Sequence, residues 1–284
     1  MVGLFLSLLL GCAPSILKKE YDDVNEYYET HDKPEYQFSR YGTLNLRYLE
    51  SGDPSKPAVV FIHGTPGTWT AFASYINSPE LQQEAHLIAV DRPGWGGSSF
   101  SDDQFEPGVA AQSQLMKEWL CEISASSDSG QLILVGHSLG GTLAPRLAMD
   151  HPDCISGVLI LAGPMDPALA SPRWYNYLAL VPPFGWLADR VEGGMRKSNR
   201  EMMLLKFELE KMRPLWADIT MPVIVIQGGK DGLVDAEHAN FAEEVMTNAK
   251  LNVIRLPKAD HFFLYANKPL VMQQIRELLD IGTL

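Results

Sequence analysis

Cysteine is scarce in this chain: Cys12, Cys121 and Cys154 are all it has. Their spacing gives neither a metal-ligand pattern nor a disulfide framework, and it does not decide whether Cys121 and Cys154 pair. Basic residues are in deficit, with 23 Lys and Arg against 35 Asp and Glu, for a formal net charge of −12. Binding a phosphate backbone needs a basic surface, so nucleic acid is excluded as a partner. The histidines are scattered, without the paired spacing that would hold zinc. Neither a Walker loop nor a dinucleotide fingerprint occurs, and Gly228-Gly229-Lys230-Asp231-Gly232 resembles the former only superficially. No cofactor and no metal are implied. Internal repeats and long low-complexity tracts are missing as well.

What remains is an ordinary globular composition, 46% apolar and 20% charged over 284 residues. That length accommodates one α/β domain with an insertion. Short runs at Tyr36–Phe38 and Leu44–Leu49 read as paired strands. Ala58–Ile62, His86–Val90, Leu132–Val135, Val158–Ala162, Val223–Gln227 and Leu251–Leu256 read as further strands, with the continuous apolar run Ala58–Ile62 fit to be covered on both faces. Helical spacing covers Trp69–Ile76, Val109–Ser124, Leu139–Met149, Ala236–Thr247 and Leu270–Leu279. Strands alternating with helices predict an α/β fold with a mostly parallel, doubly wound sheet over residues 35–163 and 218–284. The alternation fails over residues 164–217, which hold Trp174, Tyr175, Tyr177, Phe184 and Trp186. A helix from about Met195 to Met212 sets Met202, Leu205, Leu209 and Met212 on one face, with Arg196, Arg200 and Lys206 elsewhere. This is read as an inserted helical cap. Simple packing of the stripe on the main domain, or a membrane-facing basic side, are the other readings of it.

The chain is organised around Leu132-Ile133-Leu134-Val135-Gly136-His137-Ser138-Leu139-Gly140-Gly141. A buried strand runs into a helix through Gly136-x-Ser138-x-Gly140, a turn too tight for Cβ atoms at either flank. Such a turn strains the serine backbone and lifts its Oγ above the sheet edge. The Leu139 N–H then lies at a helix N-terminus, where unpaired donors favour negative charge. A serine hydroxyl needs a base, and the base needs a carboxylate to hold its tautomer. Asp231 follows one late strand and His261 follows the next, on the same rim as Ser138. Asp166, Asp235, Asp260 and Asp91 are the competing acids. In His63-Gly64-Thr65-Pro66-Gly67, Pro66 has no N–H, so Thr65 is the better second oxyanion donor beside Leu139. His63 reads as a structural hydrogen-bonder beneath that loop, and His137 as packing under the elbow.

Together, Gly136–Gly140, His63–Gly67, Asp91–Ser98, Asp231 and His261 resemble the cap-bearing branch of the α/β-hydrolase superfamily over about residues 36–280. The resemblance implies Ser138 as nucleophile, His261 as general base and then acid, and Asp231 as its partner. Dehalogenases and epoxide hydrolases of this fold need an aspartate nucleophile, so a serine here disfavours both. The expected activity is cleavage of a carboxylic ester with an apolar part, esterase- or lipase-like, through an acyl-enzyme. A carbon–carbon bond hydrolase, an aminopeptidase and a hydrolase-fold ligand-binding protein are the alternatives. Substrate identity and oligomeric state are left open.

Residues 1–11 are almost wholly apolar and end at Cys12. The run is too short to span a bilayer but has signal-peptide length. Leu9-Leu10-Gly11-Cys12 resembles a bacterial lipobox, in which the cysteine is lipidated. Met1-Val2-Gly3 carries no Lys or Arg, which a start upstream of Met1 would explain. Residues 13–34 then form a polar tether, or pack on the domain through Tyr21, Tyr27 and Tyr28. The expected location is the bacterial cell envelope, anchored to a membrane, with a secreted or periplasmic form as the alternative. In a bacterial host the Cys12 peptide should carry an added acyl mass, and Cys12→Ala should release the protein from the membrane fraction. Unchanged membrane association in that variant overturns the anchor.

Overall fold

A computed structural model describes residues 33–101, 105–178, 180–181 and 194–281, together with Val24, Glu26, Tyr28 and Glu29. The apolar leader, Cys12, Tyr21, Tyr27, Phe184 and Trp186 lie outside the described residues. The strands are β1 (Tyr36–Tyr41), β2 (Leu44–Ser51), β3 (Ala58–Ile62), β4 (His86–Val90), β5 (Ser99–Phe100), β6 (Leu132–His137), β7 (Gly157–Leu161), β8 (Val223–Gly228) and β9 (Leu251–Leu256). They form one sheet in the order β1-β2-β4-β3-β6-β7-β8-β9, with β5 paired to β2. Pairing is parallel from β4 to β9, while β1, β2 and β5 make an antiparallel edge. The longer helices are α1 (Val109–Ser126), α2 (Gly140–Asp150), α3 (Met195–Met212), α4 (His238–Val245) and α5 (Lys268–Ile281).

The period-two geometry of the strands divides their apolar side chains between two cores. Ala58, Val60 and Ile62 of β3 and Leu132 and Leu134 of β6 face one core, with Trp119 of α1, Leu143 and Leu147 of α2, and Phe241 of α4. Val59, Phe61, Ile133 and Val135 face the other, against Phe72, Tyr75 and the α5 residues Val271, Ile275 and Leu278. Continuous apolar strands are therefore what a sheet covered on both sides requires. Within the segment expected as a tether, Val24 and Tyr28 pack against the second core, with the Tyr28 ring 6.3 Å from that of Trp69.

The inserted segment contains α3 and a short helix at Trp174–Leu178. Leu205, Leu209 and Met212 of α3 are buried in the first core, so the apolar stripe packs on the main domain. Two local features differ from expectation. Trp69–Ile76 is a 3-10 turn followed by one helical turn rather than a single helix. Its start is tied outward, because the Trp69 N–H donates to Asp91 Oδ1 at 2.8 Å. β5 is two residues long, too short to leave a periodic signal in the chain.

The fold also decides the cysteine pairing that the spacing left open. Cys121 on α1 and Cys154 just after α2 form a disulfide across a sequence separation of 33. Helices α1 and α2 pack side by side, which brings together two cysteines whose spacing alone carried no pattern. Closing a loop of this length removes about 3–4 kcal/mol of chain entropy from the unfolded state. Replacing both cysteines by serine should therefore lower the urea midpoint by a corresponding amount, and dithiothreitol should then have no further effect. An unchanged midpoint in the double variant contradicts the cross-link.

Candidate active site

The sheet changes direction of growth between β3 and β6. From β3 the chain moves to β4 on one side, then returns past β3 to place β6 on the other. Loops leaving the carboxyl ends of two such strands diverge and open a crevice. Ile62, at the end of β3, is paired with Gly136, near the end of β6. The His63–Gly67 loop and Ser138 therefore emerge side by side.

Ser138 has φ 54°, a left-handed conformation that costs a non-glycine residue roughly 1–2 kcal/mol. Tertiary contacts hold it there. Its N–H donates to the Leu161 carbonyl at 2.9 Å, and its carbonyl accepts from the Gly141 N–H at 2.8 Å. A Cβ at Gly136 would lie 2.1 Å from the Gly140 carbonyl oxygen, and one at Gly140 would lie 2.1 Å from the Ile62 carbonyl oxygen. Both flanking glycines are thus demanded by backbone contact. A Cβ at position 64 would fall 3.2 Å from Ser138 Oγ, which locates the Gly64–Thr65 loop against the hydroxyl. Leu139 is helical and buried immediately before α2, so its N–H belongs to the unpaired donors of a helix start. Thr65 precedes Pro66 through a cis peptide bond, and its buried hydroxyl has no hydrogen-bond partner among the described residues.

Asp231 follows β8 and His261 follows β9, and the structure brings them together. His261 Nδ1–H donates to Asp231 Oδ2 at 2.7 Å, and both side chains are almost fully buried. The other carboxylate oxygen accepts the N–H groups of Leu233 and Val234, each at 2.8 Å. Burial raises the Asp231 carboxyl, but the bond and charge of His261 and these amides outweigh it, so the group sits below its ordinary value. Gln227, at the end of β8, adds its amide to Asp231 Oδ2 at 3.3 Å, a contact no sequence pattern flagged. Asp166, Asp235 and Asp260 instead accept from backbone N–H groups two residues ahead. Asp91 is committed to Arg47, Trp69 and Gly97. The Ser138 hydroxyl and the His261 ring are not hydrogen-bonded to each other, the one link of such a pair that commonly tightens only around a reacting substrate.

His137 and His63 brace the site from below. His137 Nε2–H donates to the His261 carbonyl at 3.0 Å, and the two rings are 4.8 Å apart. His63 Nε2 accepts the Arg92 backbone N–H at 3.0 Å, so its proton is on Nδ1, which donates to the Gly64 carbonyl at 2.7 Å.

This elbow, beside an Asp-His pair at the switch point of a mostly parallel sheet, is matched by one family profile. Residues 59–272 fit the description "Alpha/beta hydrolase family". The chain belongs to that family. It is 25% identical to the 2-(acetamidomethylene)succinate hydrolase of Mesorhizobium japonicum, over 84% of this chain and 92% of that protein. It is 26% identical to epoxide hydrolase 3 of Xenopus tropicalis, over 43% of this chain and 31% of that protein. The chain spans about a third of the length of several curated relatives it matches. Among solved structures, a bacterial membrane phospholipase A superposes with a TM-score of 0.65 at 19% identity, over 99% of this chain and 98% of that one, a likeness of fold.

Burial and the neighbouring His261 push His137 down to about 3, and burial with the Arg92 charge holds His63 well below the ordinary imidazole value. Both are neutral in the folded α/β hydrolase, whereas the unfolded chain protonates them as pH falls through about 6.5. Stability should therefore fall with decreasing pH below that point, by up to about 1.4 kcal/mol per pH unit for each histidine. His137→Gln, which keeps a donor for the His261 carbonyl, should flatten the urea-midpoint profile between pH 7 and 5 by one proton's share. An identical slope in this variant contradicts the assignment.

Proposed function

We propose that this α/β hydrolase cleaves carboxylic esters with Ser138 as nucleophile. The observation that carries the reading is the hydrogen-bonded Asp231–His261 pair on the rim that also presents the strained Ser138. Asp231, held ionised by its amide donors, keeps the His261 proton on Nδ1 and leaves Nε2 free to act as base. His261 takes the Ser138 proton as Oγ attacks the carbonyl carbon. The resulting oxyanion is held by the N–H groups of Thr65 and Leu139. Collapse expels the alcohol, protonated by His261, and leaves an acyl-enzyme on Ser138. Water, deprotonated by His261, then attacks the acyl carbon, and the acid departs as Ser138 regains its proton.

Two observations shape the substrate and setting. Trp174, Tyr177, Leu180 and Val181 of the inserted segment are exposed, which supports a substrate with an apolar part. The disulfide supports the envelope or secreted location inferred from the Cys12 lipobox, because such bonds persist in oxidising compartments. A second reading is favoured by the relative matched over most of both chains, a hydrolase of 2-(acetamidomethylene)succinate. Small acids and amides therefore belong beside esters in the substrate test.

An acyl-chain series of p-nitrophenyl esters, with a small amide panel, should show ester turnover that depends on chain length. Ser138→Ala should take no fluorophosphonate label and lose about 10⁴-fold or more in turnover, with Asp231→Asn losing about 10³–10⁴-fold. Turnover confined to the amide panel would select the second reading. A folded wild type that takes no label and cleaves nothing would leave a ligand-binding protein.

A further inference from the structure

Arg92 and Glu201 form an ion pair in which both side chains are fully buried, with N–O distances of 2.7 and 3.2 Å. Arg92 comes from the loop after β4, and Glu201 from the inserted helix α3. Every guanidinium N–H is used. Nε–H donates to the His63 carbonyl at 2.9 Å, one terminal nitrogen to the Gly64 carbonyl at 2.9 Å, and the other to Gln112 Oε1 at 2.9 Å, in addition to Glu201. Glu201 Oε1 also accepts from Trp95 Nε1 and Gln112 Nε2, both at 3.0 Å. Near the start of α3, Lys197 Nζ donates to the Gly94 carbonyl at 2.8 Å. One face of the inserted helix is thus fastened, through charge, to the loop beside the site.

A buried ion pair is a weak device for stability, since apolar side chains of similar volume often do as well. Its geometry shows a different use. In a trans peptide the carbonyl and the following N–H point in opposite directions. Arg92 and His63 together hold the Gly64 carbonyl, so they also set the direction of the Thr65 N–H, one of the two oxyanion donors assigned above. We propose that Glu201 is a positioning residue: by locking Arg92 it keeps the Thr65 N–H aimed at the oxyanion, so docking of α3 is coupled to completion of the hole. The inference rests on the serine-hydrolase reading for its chemistry, while the lock on the loop stands on the hydrogen bonds alone.

The test uses the full chain and two variants. Glu201→Gln removes the charge and keeps the shape. Arg92→Met combined with Glu201→Met removes both charges at similar volume, leaving no buried ion unpaired if the first variant fails to fold. Residue-resolved hydrogen exchange should show the Gly64, Thr65 and Gly67 amides exchanging at least about tenfold faster, with β6 amides unchanged. For the best p-nitrophenyl ester, kcat should fall at least about tenfold with KM within about twofold, because the donor acts on the oxyanion and not on the bound ester. Affinity for a trifluoromethyl ketone, which forms an oxyanion on Ser138, should weaken by the same factor as kcat, whereas a merely structural role would not link the two. Wild-type loop protection in a folded variant overturns the proposal, as does a fall in kcat without weaker ketone binding. Faster loop exchange in a protein whose wild type cleaves no ester and takes no label would uphold the lock and refute the hydrolase reading instead.

Discussion

The site depends on the parallel pairing of β3 with β6, where Ile62 lies opposite Gly136. At this boundary the sheet grows in both directions, and the loops leaving the two strands part to form the crevice. The contact is closer than strand pairing alone would bring it. Position 140 abuts the carbonyls of Ile62 and His63, and position 64 abuts the Ser138 side chain. Side chains larger than hydrogen at these points would separate the loop from the elbow. The elbow can be strained because the apolar strands beneath it, buried on both faces, determine where it must lie.

Above that apolar base, the strand ends are organised by charge. Asp91 draws together Arg47 of β2, the Trp69 turn and the Gly97 N–H. One residue on, Arg92 links the loop after β3 to the inserted helix. Buried ions tolerate this only when their donors and acceptors are satisfied, and here the guanidinium has no spare N–H. The loop beginning at Asp91 therefore joins the antiparallel edge, the candidate oxyanion loop and the inserted segment. The Asp231–His261 pair approaches from the opposite side of Ser138, through β8 and β9, and is braced by Gln227 and His137. Two polar networks with separate anchors thus flank the Ser138 elbow.

Much of this was legible in the chain. Ala58–Ile62 and Leu132–Val135 read as covered strands because runs of β-branched and aliphatic residues carry their own signal. The Gly136-x-Ser138-x-Gly140 turn was legible because its steric requirement is local. Asp231 and His261 stood out because each follows a strand whose carboxyl end must lie on the ligand-binding rim. Glu201 did not stand out. It lies on the same face of its helix as Leu205, Leu209 and Met212, four residues before the first of them, and helical spacing says nothing of what a charge there would pair with. Its partner is 109 residues away in sequence, and no local periodicity reports a pairing at that distance. Gln227 was obscured in the same way, as an unremarkable amide at a strand end.

By itself the sequence determined the longer elements, their alternation and the residue types at the elbow, because propensity, period and turn sterics act over a few residues. It also determined the rim on which Ser138, Asp231 and His261 must fall, because parallel strands all end on one edge. Tertiary structure decided which acid reaches the imidazole, how Cys121 finds Cys154, and how a buried arginine joins the inserted helix to the loop beside Ser138. Those outcomes depend on distances between segments far apart in the chain. Only the packed sheet and its helices set such distances.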